Sequence, residues 1–226
     1  TLNLQQIQGY SARDAGLAIL PISVTLFLMA RRVGGLVDRI GPRPLIIIAN
    51  VLIAAAFFLL MWPSIDQSYW THWLPGITLY GLGLGFLVVP ITSMGLQALP
   101  QNQSGIASGV NNAASRLGQM LAIAVLGAFM TNRFGANLSS RIDALALSAA
   151  DKNELLAQSR SLGEAIPPAG LSAELTEQIQ EIIRLSFVSS FRGAMFVSAI
   201  LVLLSLGILL VRSEEHTSEL QSRSDL

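Results

Sequence analysis

Apolar residues in this chain fall into long, nearly unbroken runs separated by short polar gaps. Five runs approach or exceed the roughly 20 residues that a bilayer-crossing helix needs: about 14–31, 44–63, 74–95, 105–131 and 188–211. The first lacks the basic flank and the small-residue cleavage pattern of a signal peptide. The last contains "FVSAILVLLSLGILLV" (196–211), with no charge and no polar face. A soluble helix would have no side to turn to water there. The competing reading, a soluble all-α protein with buried helices, does not account for that run. The pattern predicts an all-α membrane protein with five transmembrane helices. Residues 1–13 read as an outer loop, 14–131 as four helices, 132–187 as an amphipathic segment outside the membrane, and 188–212 as the last helix.

Composition agrees. The chain is 52% hydrophobic and 12% charged, with a mean hydropathy of +0.57; soluble domains are about 25% charged. Net charge is zero and no basic patch emerges, so nucleic-acid binding has no electrostatic footprint. Cysteine is absent, which excludes disulfides and thiolate metal sites. Before residue 213 the one histidine is His72, too little for a histidine metal site or a catalytic triad. No cofactor or metal is expected, and no nucleophile–base pair suggests an enzyme.

Orientation follows from arginine. The first gap holds Arg31, Arg32, Arg39 and Arg43, whereas the second, "SIDQSYWTHW", has no Lys or Arg. Short arginine-rich loops stay cytoplasmic. Residues 34–43 are therefore expected inside, and 1–13, 64–73 and 132–187 outside. Trp62, Tyr69, Trp70 and Trp73 flank the outer loop, as interfacial aromatics do. The 95–104 gap is then inside, without charge of its own to mark it.

The gap "GGLVDRIGPR" (34–43) reads as a tight turn between two helices. Gly34 and Gly35 suit close backbone approach, and Gly41-Pro42 punctuates the chain before the next helix. Asp38 adds nothing to orientation. It suits a contact with Arg39, with Arg43, or with the positive end of a neighbouring helix. A contact of that kind, at a cytoplasmic seam, can hold one conformation of a two-state machine.

This stretch resembles the G-x-L-x-D-R-x-G-x-R loop motif of major facilitator superfamily transporters. Gly34, Leu36, Asp38, Arg39, Gly41 and Arg43 match, and Pro42 stands where the family often has a basic residue. "LQQIQGYSARDAGLAILP", "LPGITLYGLGLGFLVVPIT" and "SGIASGVNNAASRLGQMLAIAVLGAF" are similar to the C-terminal half of the fourteen-helix drug:proton antiporters. The resemblance covers residues 4 to 212, with 132–187 matching in length and position alone. The proline common before the motif is absent, and Arg31-Arg32 stand nearby instead. The resemblance implies a partial C-terminal bundle comprising the last five helices of such a transporter. The N-terminal half and the first helix of this half would lie upstream, in a bacterial inner membrane.

The remaining spans carry further signals. Ser11-x-x-Asp14 is an N-cap pattern opening span one, where Pro21 frees a carbonyl that Ser23 or Thr25 can help satisfy. "GLGLG" in span three follows no strand, so Gly81, Gly83 and Gly85, with Gly76, read as a close-packing seam rather than a nucleotide loop. Pro90, with Thr92 and Ser93, predicts a bend. In span four Asn111, Asn112, Ser115, Arg116 and Gln119 fall largely on one side, while Gly105, Gly109 and Ala113 repeat at spacing four. Ser104 suits the cap of that helix. Arg116 lies on the order of 18 Å from its start. An arginine there faces protein or water with an acidic partner, or else snorkels to the interface. No span has an internal Asp or Glu to serve it beyond Asp14 at a mouth.

Within 132–187, "SSRIDALALSAADKNELLAQ" and "SAELTEQIQEIIRLSFVSSF" show helical spacing on either side of an "AIPPAG" break. They read as a cover on the outer membrane surface, or as a docking face for a periplasmic adaptor protein. "RSEEHTSELQSRSDL" (212–226) is polar and unpatterned. It resembles a translated DNA-sequencing adapter, which would make residues 213–226 non-native; the other reading is a natural tail.

The expectation is therefore a secondary transporter, exporting small hydrophobic or cationic compounds against protons by alternating access. The alternative is a non-transporting membrane sensor or structural subunit on a similar scaffold.

Overall fold

A computed structural model describes the backbone of residues 2–97 and 104–224, and the side chains among them except those of 95–97, 104, 107 and 212–224. Its regular structure is helical, and no strand occurs among the described residues. Five helical stretches are long and apolar enough to cross a membrane: Ala12–Ile40, Pro42–Leu60, Tyr69–Met94, Ser108–Ile142 and Ala173–Val211. The protein is a multi-pass, all-α membrane protein.

The chain begins with α1 (Leu2–Gln6) and α2 (Ala12–Ala18). The stretch expected as an outer loop is thus partly helical, and Leu4 and Ile7 are buried. Ser11 caps α2 as its spacing suggests: its hydroxyl oxygen accepts from the Asp14 N–H at 3.1 Å. The chain breaks at Ile19, and α3 (Leu20–Ile40) follows with Pro21 in its first turn. Proline has no N–H to offer Leu17, whose carbonyl instead accepts from Ile19 N–H. Thr25 donates to the Pro21 and Ile22 carbonyls rather than to the one freed by the proline.

A single residue, Gly41, separates α3 from α4 (Pro42–Leu60). Its φ of 80° lies in the region that only glycine enters freely. The expectation of a ten-residue turn over 34–43 is corrected here. Residues 34–40 are helical although Gly34, Gly35 and Val37 are weak helix formers; with no proline before Pro42, the backbone bonds of α3 continue to Gly41, whose N–H donates to the Val37 carbonyl. A five-residue π-helical turn, Tyr69–Trp73, leads into α5 (Leu74–Gln97). Next come α6 (Ser104–Ile142), α7 (Ala149–Ala157), a 3-10 segment Gln158–Glu164, and α8 (Ala173–Ser224).

Packing runs in the series α3, α5, α4, α8, α6. α5 lies against both α3 and α4, and these two scarcely touch outside their shared hinge. The glycines of α5 explain how it fits. A Cβ at Gly81 would collide with Thr25 Oγ1 and come within 2.8 Å of Ile22 Cα; at Gly85 it would meet Met29 Cβ at 2.7 Å. One at Gly83 would lie 2.6 Å from Ile53 Cγ1, and one at Gly76 2.9 Å from Leu60. Gly81 and Gly85 thus let α3 approach one side, and Gly83 and Gly76 let α4 approach the other. Pro90 is buried within α5, where Thr92 donates to the Val88 and Val89 carbonyls at 2.8 and 2.9 Å.

The segment 132–187 differs from the expected surface cover. α6 and α8 run straight into it: the second amphipathic stretch is the start of α8, whereas the first leaves α6 at Ile142 and forms the separate helix α7. Phe134, Leu138 and Ile142 face Ile179, Ile183 and Phe187, with Leu155 of α7 completing a closed apolar cap. Spacing of four along both helices puts each trio on one stripe. The stripes bury one another instead of lying on lipid. The "AIPPAG" break does lie outside helix.

Candidate functional site

The loop-motif residues form the α3–α4 junction. Gly34, Leu36, Asp38 and Arg39 occupy the last two turns of α3, Gly41 is the hinge, and Arg43 starts α4. Arg39 suits a helix C-terminus electrostatically, whereas Asp38 opposes it. Asp38, Arg39 and Arg43 are all exposed. Among the described residues Asp38 has no ion pair or hydrogen bond, so the expected contact with Arg39 or Arg43 is not formed. α3 continues past Asp38 to Ile40, which leaves Asp38 and Arg43 on different helices either side of the hinge. A methyl group added at Gly34 or Gly35 would meet nothing within 4 Å, so these glycines serve no close approach here.

The polar residues of span four lie on the membrane-crossing part of α6. Asn111 is half-buried; Asn112, Ser115, Arg116 and Gln119 are exposed. Arg116 has no acidic partner among the described residues. A methyl added at Gly105 or Gly109 meets nothing within 4 Å among the described residues, so none of these packs their seam. The membrane-crossing turns around them are equally bare: Met120 is 65% and Ile123 75% exposed. The side chain of Ser104, the expected cap, and the 98–103 part of the inner gap lie outside the described residues. This part of α6 is polar along one strip and apolar elsewhere, and it presents both to its surroundings.

At the other end, the interfacial aromatics divide. Trp62 and Trp70 are 76% and 73% exposed, as a membrane-interface belt requires. Trp73 turns inward and packs on Phe191 with ring centroids 6.0 Å apart. Tyr69 donates to the Ala18 carbonyl at 2.6 Å. Both therefore brace the bundle rather than anchor it in headgroups. Beside them a cavity of about 460 Å³, lined by Ile22, Phe57, Ile77 and Tyr80 among others, opens within the bundle.

Sequence reasoning passed over two polar features. Asn50 is buried in α4 and donates to the Ile46 carbonyl at 2.8 Å, so it satisfies itself within its own helix. Asn137 donates to Ser190, which donates to the Ser186 carbonyl, joining α6 to α8. An i to i−4 reading of Ser186 and Ser190 would have found the second bond.

The major facilitator superfamily model matches residues 1–123, from α1 well into α6. The chain belongs to the major facilitator superfamily. Three relatives illustrate the similarity. A multidrug resistance protein, Stp, of Mycobacterium tuberculosis is 31% identical over 140 residues, covering 62% of this chain and 26% of that protein. A triacylglyceride transporter of Mycolicibacterium smegmatis is 31% identical over 229 residues, covering 96% and 38%. The tetracenomycin C resistance and export protein of Streptomyces glaucescens is 26% identical over 227 residues, covering 97% and 41%. The chain thus spans between about a quarter and two fifths of the length of these relatives. Major facilitator proteins are transporters, and the bare face of α6 is to be read against the larger size of its relatives.

Proposed function

We propose that this chain forms most of the C-terminal bundle of a fourteen-helix drug:proton antiporter. It would export small hydrophobic or cationic compounds across a bacterial inner membrane by alternating access. The observation that carries the reading is the open strip Asn111, Asn112, Ser115, Arg116 and Gln119 on α6. A bundle that leaves one amphipathic crossing uncovered is built to meet a second bundle, and the strip then lines the path between them. Family membership and the resistance and export proteins among its relatives support the substrate class.

In this reading Arg116 pairs with an acidic group of the N-terminal half or with substrate. Proton coupling needs an ionisable carboxylate within the membrane. Past Asp14 the five apolar runs hold none, so the carboxylate belongs to the other half. Pro21, Pro90 and the α5 glycines set the shape of the lining helices. Residues 34–43 face the cytoplasm, with Gly41 as hinge. Asp38 is free in this conformation and engages in another, which suits a latch that forms and breaks during rocking. The cap over 132–187 lies outside, where it closes the outer end of the bundle; contact with a periplasmic adaptor is the further use it allows.

The test is Asp38→Asn in the full-length transporter. Export, followed as dye efflux from energised cells, should fall at least tenfold, about 1.4 kcal/mol, while membrane insertion is unchanged. Wild-type efflux would remove Asp38 from the mechanism.

A further inference from the structure

Three arginines converge on one cleft at the level where the bundle meets its cap. The cleft, of about 500 Å³, opens between the end of α4, the late turns of α6 and the start of the apolar part of α8. Arg133, Arg141 and Arg192 line it, with Ser64 and Ser189, and no acidic residue does among the described residues. Among the described residues the one ion pair, Lys152 with Asp143 at 3.5 Å, involves none of the three.

Two of them enter the cleft from facing helices, α6 and α8. A Cβ at Gly193 would lie 3.7 Å from Arg133 Nε, so the Arg133 side chain passes beside the residue that follows Arg192. Arg192 reaches the carbonyls of Trp62 and Pro63 with Nη2, at 3.4 and 3.5 Å, which are long bonds. Its Nε is shielded from solvent and has no partner among the described residues. Converging like charges repel, and a shielded guanidinium N–H without an acceptor is costly. A single anion with several oxygens relieves both, and a phosphate matches the planar guanidinium fork.

The floor of the cleft says where the phosphate comes from. Leu185 and Val188 line its cap side, and Met61 and Phe196 its membrane side, where Phe196 is 47% exposed. Beyond Phe196 the helix continues as the charge-free run to Val211. Arginines therefore stand over an apolar wall that descends into the membrane, the arrangement of headgroup over acyl chain.

We propose that this cleft binds the phosphate of an anionic phospholipid, with an acyl chain lying on Met61 and Phe196. The inference rests on the chain spanning a membrane and not on any transported substrate.

Native mass spectrometry of the full chain in a neutral detergent tests it, with phosphatidylglycerol, phosphatidylcholine and soluble glycerol 3-phosphate as probes. Phosphatidylglycerol should bind more tightly than phosphatidylcholine. Arg133→Gln and Arg141→Gln should each weaken it about fivefold, the effect of one interfacial charge. Both side chains are exposed, so the variants should keep the helical circular dichroism of the parent. Arg192→Lys, which keeps the charge, should preserve the preference. Arg184→Gln, on α8 outside the cleft, should change nothing. Equal binding of the two lipids, a preference indifferent to Arg133 and Arg141, or glycerol 3-phosphate binding as tightly as phosphatidylglycerol would each overturn the proposal. None of these outcomes bears on export, so failure here is separable from failure of the transport reading.

Discussion

The hydroxyl of Tyr69 donates to the backbone carbonyl of Ala18 at 2.6 Å, across 51 positions of sequence. Ala18 ends α2, and the break at Ile19 leaves its carbonyl without a helical partner. The bond therefore ties the start of the third crossing to the interruption in the first. Tyr69→Phe removes the donor and leaves the ring. The expected loss is about 1 kcal/mol, since one neutral hydrogen bond is removed. Thermal unfolding in detergent should show a lower midpoint for the variant; an unshifted midpoint would mean that water replaces the hydroxyl without cost.

The glycines of α5 make a sharper prediction. A methyl at Gly81 has no room beside Thr25 and Ile22, and one at Gly83 none beside Ile53. Gly81→Ala and Gly83→Ala should each destabilise by about 1–3 kcal/mol through overpacking. Gly105→Ala and Gly109→Ala meet open space among the described residues and should stabilise by up to about 1 kcal/mol, since alanine favours a helix more than glycine does. Chemical unfolding of the four variants, followed by circular dichroism, checks the contrast. Similar losses at all four positions would contradict it.

What the sequence reveals of this structure depends on what each feature rests on. The five crossings are legible because bilayer thickness imposes a length on every apolar run. The Ser11 cap is legible because capping is local. The α3–α4 junction is not: glycine and charge suggest a loop over 34–43, yet α3 continues against local propensity to Ile40 and leaves the turn to Gly41. Small-residue spacing identifies the close packing at Gly81 and Gly83, but it marks Gly105 and Gly109 in the same way, and these face nothing among the described residues. Spacing cannot tell a seam that is filled within the chain from one that is not. The inward turn of Trp73 and the cap are hidden for a related reason. An amphipathic stripe announces that it will be buried, not what will bury it.

The cap supplies its own test. Leu138 and Phe187 are fully buried where α6 meets α8 beyond the apolar runs. Phe187→Ala should cost about 3–5 kcal/mol and Leu138→Ala about 2–5 kcal/mol. α6 holds to α8 through this cap, so the damage should loosen that junction first. Limited proteolysis should then cut within 143–172 at a rate well above wild type, while total helicity falls little. Resistance to protease in both variants would show that the two stripes are not each other's main support.

Arg116 tests the proposed lining most directly. It sits on the membrane-crossing part of α6, exposed and without an acidic partner among the described residues. In the full-length protein a charge at that depth needs a counter-charge. If the counter-charge is a carboxylate of the other bundle, Arg116→Gln strands it, at a cost of about 3–5 kcal/mol. Export should collapse, and neutralising that carboxylate in the same variant should restore stability without restoring transport. Arg116→Lys keeps the charge and should retain a measurable fraction of export. If the counter-charge is instead an anionic group carried by an otherwise hydrophobic substrate, Arg116→Gln should leave stability near wild type and raise the KM for substrates that bear such a group. Efflux assays paired with thermal unfolding separate the two. Wild-type values for both export and stability in Arg116→Gln would place this arginine in the lipid interface and withdraw it from the transport path.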